Sequence, residues 1–427
     1  MNFSAIPADP PSSPVLRLYH ELIATIMLLC MPDTRYLPPS PSSTPLVMSQ
    51  VCHSWRAVAL AETRLWTSIA ISITERNAVS AGLLATAWLA RAGTRPLRIS
   101  LSLYGDAITS QHMDAIFAVY RSSAYWQDAK LYLPMRALQP PAELINHNFP
   151  MLDYLSLAPG EDYRTENFPI STFQCAPRLR KIALERDFEA DFYTLPLHQI
   201  THLDVNIMLS IDDCLPLLEM CVVLEQCSIN IISPALVETS SIVTLRALWM
   251  LSIYTDQDLS EFLDHLTLPA LRVLEIRHDF ETANIVWPQE ELRSLIGRSG
   301  CSLRRLLLSE VRMADVNLSA LLLLAPKLAE LEIDSHGPQP YVTDDVLRSL
   351  TPTGSRECVG LEMEVLKLTG DFSFDHGVFF TMIESRWRDE KVKRLRELKL
   401  CLMDDLAPEV FIKLQQYRDQ GLALSLS

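Results

Sequence analysis

The sequence has little glycine and none of the short motifs on which many enzymes depend. Only 12 of its 427 residues are glycine, and no GxGxxG, P-loop, GxSxG or HExxH pattern occurs. Glycine-rich loops cradle phosphates and nucleotides, and HExxH helices hold a catalytic zinc ion. We therefore predict a non-catalytic protein that needs neither a cofactor nor a metal.

Long apolar runs and paired cysteines are also missing. The runs at 22–31 and 320–325 are far shorter than the roughly 20 residues that span a bilayer. The nine cysteines form no CxxC pair, and the first residues carry no signal-peptide pattern. These features predict a cytoplasmic or nuclear protein with reduced thiols that does not contact a membrane.

Basic charge is scarce, since 52 acidic residues oppose 37 basic ones and give a net charge of −15. Such a balance argues against a general nucleic-acid partner. The segment 384–399 is an exception, with seven basic and four acidic residues. It indicates either a site for an acidic or phosphorylated segment of a partner, or simply a solvated helix end.

A short apolar motif of the form LxxLxL, with conservative replacements, recurs through most of the chain. Its eleven occurrences begin 21 to 35 residues apart, at Trp126, Leu152, Leu179, Ile200, Leu224, Leu245, Leu271, Leu303, Leu328, Met363 and Leu395. A leucine-rich repeat has a period of about 20–29 residues and one short strand per repeat.

Segments between the motifs carry apolar residues at helical spacing, for example 256–266 and 315–325. The sequence therefore predicts an α/β fold, an irregular leucine-rich-repeat solenoid with parallel strands inside and helices outside. The alternative is an α/β domain whose strands merely imitate repeats.

The N-terminal region resembles the F-box-like domain of mushroom-type fungi. The stretch RLYHELIATIMLLCMP (17–32) is similar to the first half of that family's pattern, with Tyr19 where the family has proline. The stretch PLVMSQVCHSWRAVALAETRLWTSIAI (45–71) matches its second half, including the VCxxWR and LW elements. An F-box of this kind commonly precedes leucine-rich repeats.

The resemblance implies a substrate-receptor subunit of a Skp–cullin–F-box ubiquitin ligase. Its F-box would dock a Skp-type adaptor, and through it a cullin, while the repeats bind a protein substrate. The alternative is an interaction scaffold that is not coupled to ubiquitination. The expected organisation is a disordered N-terminus (1–14), an F-box (15–71) with a Pro/Ser loop (34–45), a helical connector (72–94) and the repeats (95–427).

About 50 residues with a proline-rich break are too few to bury every large apolar side chain of the F-box-like region. An exposed apolar patch should remain, and such patches mark protein interfaces. The candidate adaptor-binding residues are Leu18, Glu21, Leu22, Ile26, Val51, Cys52 and Trp55. For Trp55 and Trp66, a place in the internal core is the competing interpretation.

Successive residues of a strand face opposite sides of a sheet. The residue between the last two apolar positions of each motif should therefore point away from the core and towards a substrate. This rule, extended by one further outward position, gives a candidate substrate surface of Trp249, Leu251, Glu275, Arg277, Leu307 and Glu332. An apolar centre with a charged rim is typical of a protein interface. The competing interpretation is that other parts of the chain cover these side chains.

Overall fold

Short parallel strands alternate with helices and turns along the chain. The computed structural model describes residues 18–105, 108–139, 149–159, 171–185, 194–234, 241–278, 285–336, 341–352, 358–372, 374–389, 392–402 and 408–426. The predicted disordered segment 1–14 lies outside the described residues. The chain divides into two compact units, Met1–Pro196 and Leu197–Ser427.

The N-terminal unit begins with helices and continues as a parallel sheet. Its helices are α1 (His20–Leu29), α2 (Thr44–Ser49), α3 (His53–Ala61), α4 (Ala78–Ala92), α5 (Ser110–Tyr120) and α6 (Met135–Leu138). Its strands are β1 (Ser68–Ile73), β2 (Leu97–Leu103), β3 (Trp126–Leu133), β4 (Tyr154–Pro159) and β5 (Lys181–Glu185). Each strand pairs in parallel with the next along the chain.

The C-terminal unit repeats the same arrangement. Its strands are β6 (His202–Ser210), β7 (Gln226–Ser233), β8 (Val243–Thr244), β9 (Met250–Thr255), β10 (Leu266–Thr267), β11 (Val273–His278), β12 (Arg305–Ser309), β13 (Glu330–Ser335), β14 (Val365–Gly370), β15 (Glu397–Leu402) and β16 (Ala423–Leu426). Its helices are α7 (Ile211–Met220), α8 (Ser260–Asp264), α9 (Gln289–Ser299), α10 (Asp315–Leu324), α11 (Asp344–Ser349), α12 (His376–Arg388) and α13 (Pro408–Asp419). The main sheet runs β6, β7, β9 and then β11 to β16, all parallel, while β8 and β10 form a separate pair.

The sequence motif explains the strands, because its apolar residues alternate with polar ones. In β11, Leu274 and Ile276 are 1% and 0% exposed and face the core, and the same positions of β13 hold Leu331 and Ile333. Consecutive helices from α7 to α13 contact one another in sequence order. The predicted fold class, an α/β leucine-rich-repeat architecture with parallel strands and accompanying helices, is confirmed.

The sheet starts earlier than the sequence motif indicated. Strand β1 begins at Ser68 and pairs with β2 from Arg98 onward, so two strands precede the first motif at Trp126. A further strand without a recognised motif, β16, pairs with β15. Strand β1 does fit the motif, with Trp66 in the leading position as Trp126 is in β3, whereas β2 and β16 lack a large apolar residue there.

The Pro/Ser loop is shorter than predicted and is fastened to the sheet. Helix α2 begins at Thr44, since Pro45 occupies its first turn, where a missing N–H costs nothing. Leu37 is 4% exposed and its N–H donates to the Ser68 Oγ at 3.0 Å. The Ala70 N–H donates to the Leu37 carbonyl at 2.8 Å. The loop thereby covers part of the β1 edge, which would otherwise be open to pairing with another chain.

Candidate partner-binding surfaces

Helix α1 is apolar on two opposite faces. Ile23, Ala24 and Met27 are at most 7% exposed and pack inside the N-terminal unit. The other face carries large apolar side chains at helical spacing that remain open to solvent: Tyr19 (76% exposed), Leu22 (50%), Ile26 (37%) and Leu29 (81%). We call these four residues the α1 stripe.

Two of the predicted adaptor-binding residues, Leu22 and Ile26, belong to the α1 stripe. Glu21 is exposed beside it, and Leu18 is partly exposed just before the helix. The predicted patch residues Leu22 and Ile26 are thus on a different side of α1 from the buried Ile23 and Met27. Tyr19 and Leu29 are further members of the stripe that the sequence reasoning did not select, although their spacing on α1 was visible.

The second half of the predicted patch is less uniform. Val51 is 56% exposed. Cys52 caps α3, where its Sγ accepts the Trp55 N–H at 3.5 Å. The Trp55 side chain is partly buried and its indole N–H has no hydrogen-bond partner. Trp66 is fully buried and donates its indole N–H to the Ala59 carbonyl at 2.8 Å, so it belongs to the core.

Asp128 on β3 holds the Pro/Ser loop against the sheet. Arg35 donates to one carboxylate oxygen at 2.6 Å and the Tyr36 hydroxyl donates to the other at 2.5 Å. The Arg35 guanidinium also lies 3.8 Å from the centre of the Tyr154 ring. Burial, together with the Asp128 hydrogen bond and charge, raises the pKa of Tyr36 far above its ordinary value. These contacts with Asp128 and Tyr154 fix the Pro/Ser loop, which connects α1 and α2, on the sheet.

In the C-terminal unit, strand register defines one polar face of the sheet. Its central row is Asp204, Ser228, Ser252, Glu275, Leu307, Glu332, Lys367, Lys399 and Ser425. The row that follows it along the strands is Met208, Asn230, Tyr254, Arg277, Ser309, Asp334, Thr369 and Cys401. We call these two rows the polar sheet face.

The sequence assignment at β9 was wrong by three residues. Trp249 does not lie on the polar sheet face, because it precedes β9 and its N–H donates to the Glu225 carbonyl at 2.9 Å. Leu251 is 0% exposed and pairs with the core residue Leu274. Ser252 takes the position expected of Trp249, directly beside Glu275.

The other four predicted residues do lie on the polar sheet face: Glu275, Arg277, Leu307 and Glu332. Two of them are buried, since Glu275 and Leu307 are each only 5% exposed. Arg305 stands two residues before Leu307 on the same strand and therefore faces the same side of the sheet. Its Nη2 lies 3.8 Å from a Glu275 oxygen and 3.3 Å from a Glu332 oxygen, the two residues that flank Leu307. The guanidinium thus bridges the carboxylates on either side of Leu307.

A chain of ion pairs follows the same rows. The Arg277 Nη2 lies 3.0 Å from Glu275, and the Ser252 hydroxyl donates to that carboxylate at 3.3 Å. Further along, Lys367 lies 2.9 Å from Glu330 and 3.9 Å from Glu332. Isolated surface pairs stabilise little, but a connected network fixes the direction of each charged group.

The apolar part of this face was missed by the sequence reasoning. Met208 is 61% exposed and Tyr254 is 42% exposed, and both stand in the row of Arg277. A correct register at β9 would have selected Tyr254 at once. Tyr254 stands directly beside Arg277, whereas Met208 lies two strands away from Tyr254 and is paired with Asn230.

The basic segment 384–399 is largely satisfied within the chain. Arg386 is 1% exposed and donates to backbone carbonyls. Lys393 pairs with Glu362 and Glu364, both at 3.0 Å. The Arg394 guanidinium lies 3.5 Å from the centre of the Trp387 ring. These contacts favour the structural interpretation of the segment over a site for an acidic ligand.

The sequence matches no known family model, and no curated protein is similar to it. Among solved structures, a chain of the TLR13–ssRNA13 complex is 11% identical with a TM-score of 0.28, over 72% of this chain and 52% of that one. A Bacteroides fragilis protein is 12% identical with a TM-score of 0.28, over 84% and 74%. A chain of the Drosophila Toll–Spatzle complex is 14% identical with a TM-score of 0.28, over 76% and 47%.

This chain therefore spans about half the length of the TLR13 and Toll–Spatzle matches. The fold assignment rests on the strand pairing described above. Within the described part of the chain, every helix is too short or too polar to traverse a lipid bilayer.

Proposed function

We propose that this chain is the substrate-receptor subunit of a Skp–cullin–F-box ubiquitin ligase, acting in the cytoplasm or nucleus without catalysis of its own. The N-terminal helices dock a Skp-type adaptor, which brings the cullin. The polar sheet face of the C-terminal unit binds a protein substrate. The observation that carries the proposal is the α1 stripe, in the segment that resembles an F-box.

A surface helix of a monomeric protein normally has one apolar face and one polar face. Helix α1 buries Ile23 and Met27 on one side and leaves the α1 stripe in water on the other. Helix α1 keeps a polar side with Glu21 and Thr25, but a row of exposed large apolar side chains beside its buried face is typical of a protein interface. Full burial of a leucine or isoleucine side chain stabilises by roughly 1.5–3 kcal/mol. The part of the α1 stripe that is exposed to solvent can contribute a share of this free energy when a partner covers it.

The polar sheet face has the composition expected for a protein ligand. Tyr254 and Met208 provide apolar area, and interface hot spots are enriched in tyrosine. Arg277, beside Tyr254, and Glu275 are already held by hydrogen bonds and ion pairs. Side chains that are fixed before binding lose less conformational entropy when the partner arrives.

The adaptor interface is tested with Leu22→Ala combined with Ile26→Ala in the full chain, in a pull-down by a purified Skp-type adaptor. Adaptor binding should fall at least tenfold; because Leu22 and Ile26 are only 50% and 37% exposed, a circular dichroism melt has to show that the double variant remains folded. The matched control is Leu83→Ala on α4, an exposed leucine at 69%, which should bind normally. Equal recovery of all variants would contradict the proposed interface.

The substrate surface needs a separate experiment. Proximity labelling with the proteasome inhibited should recover a set of proteins that Tyr254→Asp loses and Tyr104→Asp retains. Tyr104 is the control because it is similarly exposed, at 47% against 42%, and lies in the N-terminal unit. Identical sets for both variants would show that the polar sheet face does not bind the substrate.

The second candidate is a scaffold that is not coupled to ubiquitination. Tyr19, in the place of the family's proline, is 76% exposed on the α1 stripe, so it changes the surface offered to the adaptor. Co-purification separates the two functions. Recovery of both adaptor and cullin supports the ligase subunit, whereas recovery of the adaptor without cullin supports the scaffold.

A further inference from the structure

A histidine and two carboxylates converge where strands β12 and β13 end. Glu310 follows β12, Asp334 lies near the end of β13 and His336 follows β13. The His336 Nδ1 is 2.7 Å from the Glu310 Oε1 and 3.4 Å from the Asp334 Oδ1. One potential ligand atom from each residue lies within 4.8 Å of the other two.

Other hydrogen bonds hold the far oxygen of each carboxylate. The His336 backbone N–H donates to the Glu310 Oε2 at 3.2 Å. The Ser309 hydroxyl donates to the Asp334 Oδ2 at 3.4 Å. The near oxygens, Oε1 and Oδ1, are thereby directed towards the imidazole. Outer hydrogen bonds of this kind orient the ligands of metal sites in proteins.

Two buried polar atoms at this place have no hydrogen-bond partner. One is the Asp334 Oδ1 itself. The other is the hydroxyl of Tyr341, a side chain that is only 1% exposed. Burial raises the pKa of Tyr341, and the charges of Glu310 and Asp334 act in the same direction. A buried polar atom without a partner costs about 1–3 kcal/mol and asks for a ligand.

We propose that Glu310, Asp334 and His336 bind one divalent transition-metal ion, with zinc the expected metal. Imidazole and carboxylate ligands together suit zinc and its neighbours, whereas magnesium and calcium prefer oxygen alone. Zinc–ligand bonds of about 2.0–2.2 Å place neighbouring tetrahedral ligands roughly 3.4 Å apart. The distance between His336 and Asp334 already has this value, and Glu310 has to withdraw by less than about 1 Å.

The fourth coordination position would be taken by water. A site of three protein ligands and one open position is common for zinc that reacts or that binds a further group. The ion would also link the ends of β12 and β13, so it stabilises the C-terminal unit. The competing account is an ion pair in which a protonated His336 lies between the two carboxylates, and that account gives no response to zinc.

The test uses the full-length chain, freed of metal by a chelator, titrated with zinc chloride by calorimetry and with cobalt chloride by visible absorption. The wild type should bind one ion per chain, and its melting temperature should rise with zinc. His336→Asn and Glu310→Gln should each lower zinc affinity at least tenfold. His53→Asn, an exposed histidine on α3, is the matched control and should bind like the wild type.

Three results would overturn the proposal. The first is a wild type that shows no saturable binding of zinc. The second is His336→Asn with the affinity of the wild type. The third is a thiolate charge-transfer band in the cobalt spectrum, because it would place the ion at a cysteine instead. If a substitution impairs folding, the cobalt spectrum of the wild type still decides between nitrogen and oxygen ligands and a thiolate.

Discussion

Replacing Arg386 with methionine should destabilise the C-terminal unit more than any ordinary surface substitution. Arg386 lies on α12 and is 1% exposed. Its guanidinium donates to the carbonyls of Leu350, Val359 and Gly360, each at 2.9 Å. Besides the arginine, the Gly360 carbonyl accepts the Met363 N–H at 3.1 Å, and the Leu350 and Val359 carbonyls accept only the Cys358 thiol, at 3.6 and 3.5 Å. The arginine is therefore the main donor to the Leu350 and Val359 carbonyls.

The magnitude follows from what methionine leaves behind. Three carbonyls lose a charged donor, but only those of Leu350 and Val359 are left with no donor stronger than the Cys358 thiol, and each buried unsatisfied group costs about 1–3 kcal/mol. Removal of the buried charge offsets part of this sum, because burial disfavours the guanidinium and lowers the pKa of Arg386. The net loss should be roughly 2–4 kcal/mol. Arg386→Lys should not restore stability, since one nitrogen cannot replace the three nitrogens that donate here.

The measurement is the free energy of unfolding in urea, followed by circular dichroism, with hydrogen exchange at 341–363 as a local probe. The control is Arg388→Met, a neighbouring arginine whose side chain is 72% exposed and paired with Glu384, which should change stability by less than about 0.5 kcal/mol. If Arg386→Met unfolded within that margin of the wild type, the carbonyls would have to be satisfied in another way, and the reasoning would be refuted.

Two further outcomes are expected. Burial lowers the pKa of His278 to about 4 from 6.5, so the unfolded chain takes up a proton before the folded one does. The contribution of the neutral His278 to the free energy of unfolding is therefore fully present above pH 6.5, and it should fall by about 3 kcal/mol as the pH drops to 4. In a plot of melting temperature against pH, His278→Gln should reduce the slope between these two pH values. Asp128→Asn should weaken the hold on Arg35 and Tyr36, so limited proteolysis should cleave the Pro/Ser loop faster than in Asp153→Asn, while equal rates would show that other contacts hold it.

The repeat strands could be predicted because their physical cause is local. A strand with one buried face and one solvent-facing side needs an apolar residue at every second position. Ten of the eleven motif occurrences correctly place these residues in the core. The exception, at 245–250, arises because Leu245 serves a different pairing. Its N–H donates to the Thr267 carbonyl at 3.0 Å, as an extension of the small β8–β10 ladder. Leu245 therefore has the spacing of the repeat motif but belongs to the β8–β10 pair.

The burial of individual side chains on the polar sheet face could not be predicted in the same way. Alternation correctly places Leu307 on that face, but whether it meets solvent depends on Arg305, two residues earlier, and on carboxylates from two other strands. The metal-binding cluster has the same origin. Glu310 and His336 are 26 residues apart in sequence, and only the register of β12 and β13 brings them together.

Helices α1 and α4 both expose apolar side chains, but the exposed residues extend much further along α1. On α4, the exposed apolar residues are Val79, Leu83 and Leu84, at 57%, 69% and 37%, and they cover only about one and a half turns of a 15-residue helix. On α1, exposed apolar residues recur from Tyr19 to Leu29 along the whole helix, which gives a partner a continuous strip to cover. If α4 were the docking helix, Leu83→Ala would lose the adaptor and the α1 double variant would keep it. Because length and continuity distinguish an interface from scattered surface leucines, we expect the opposite result.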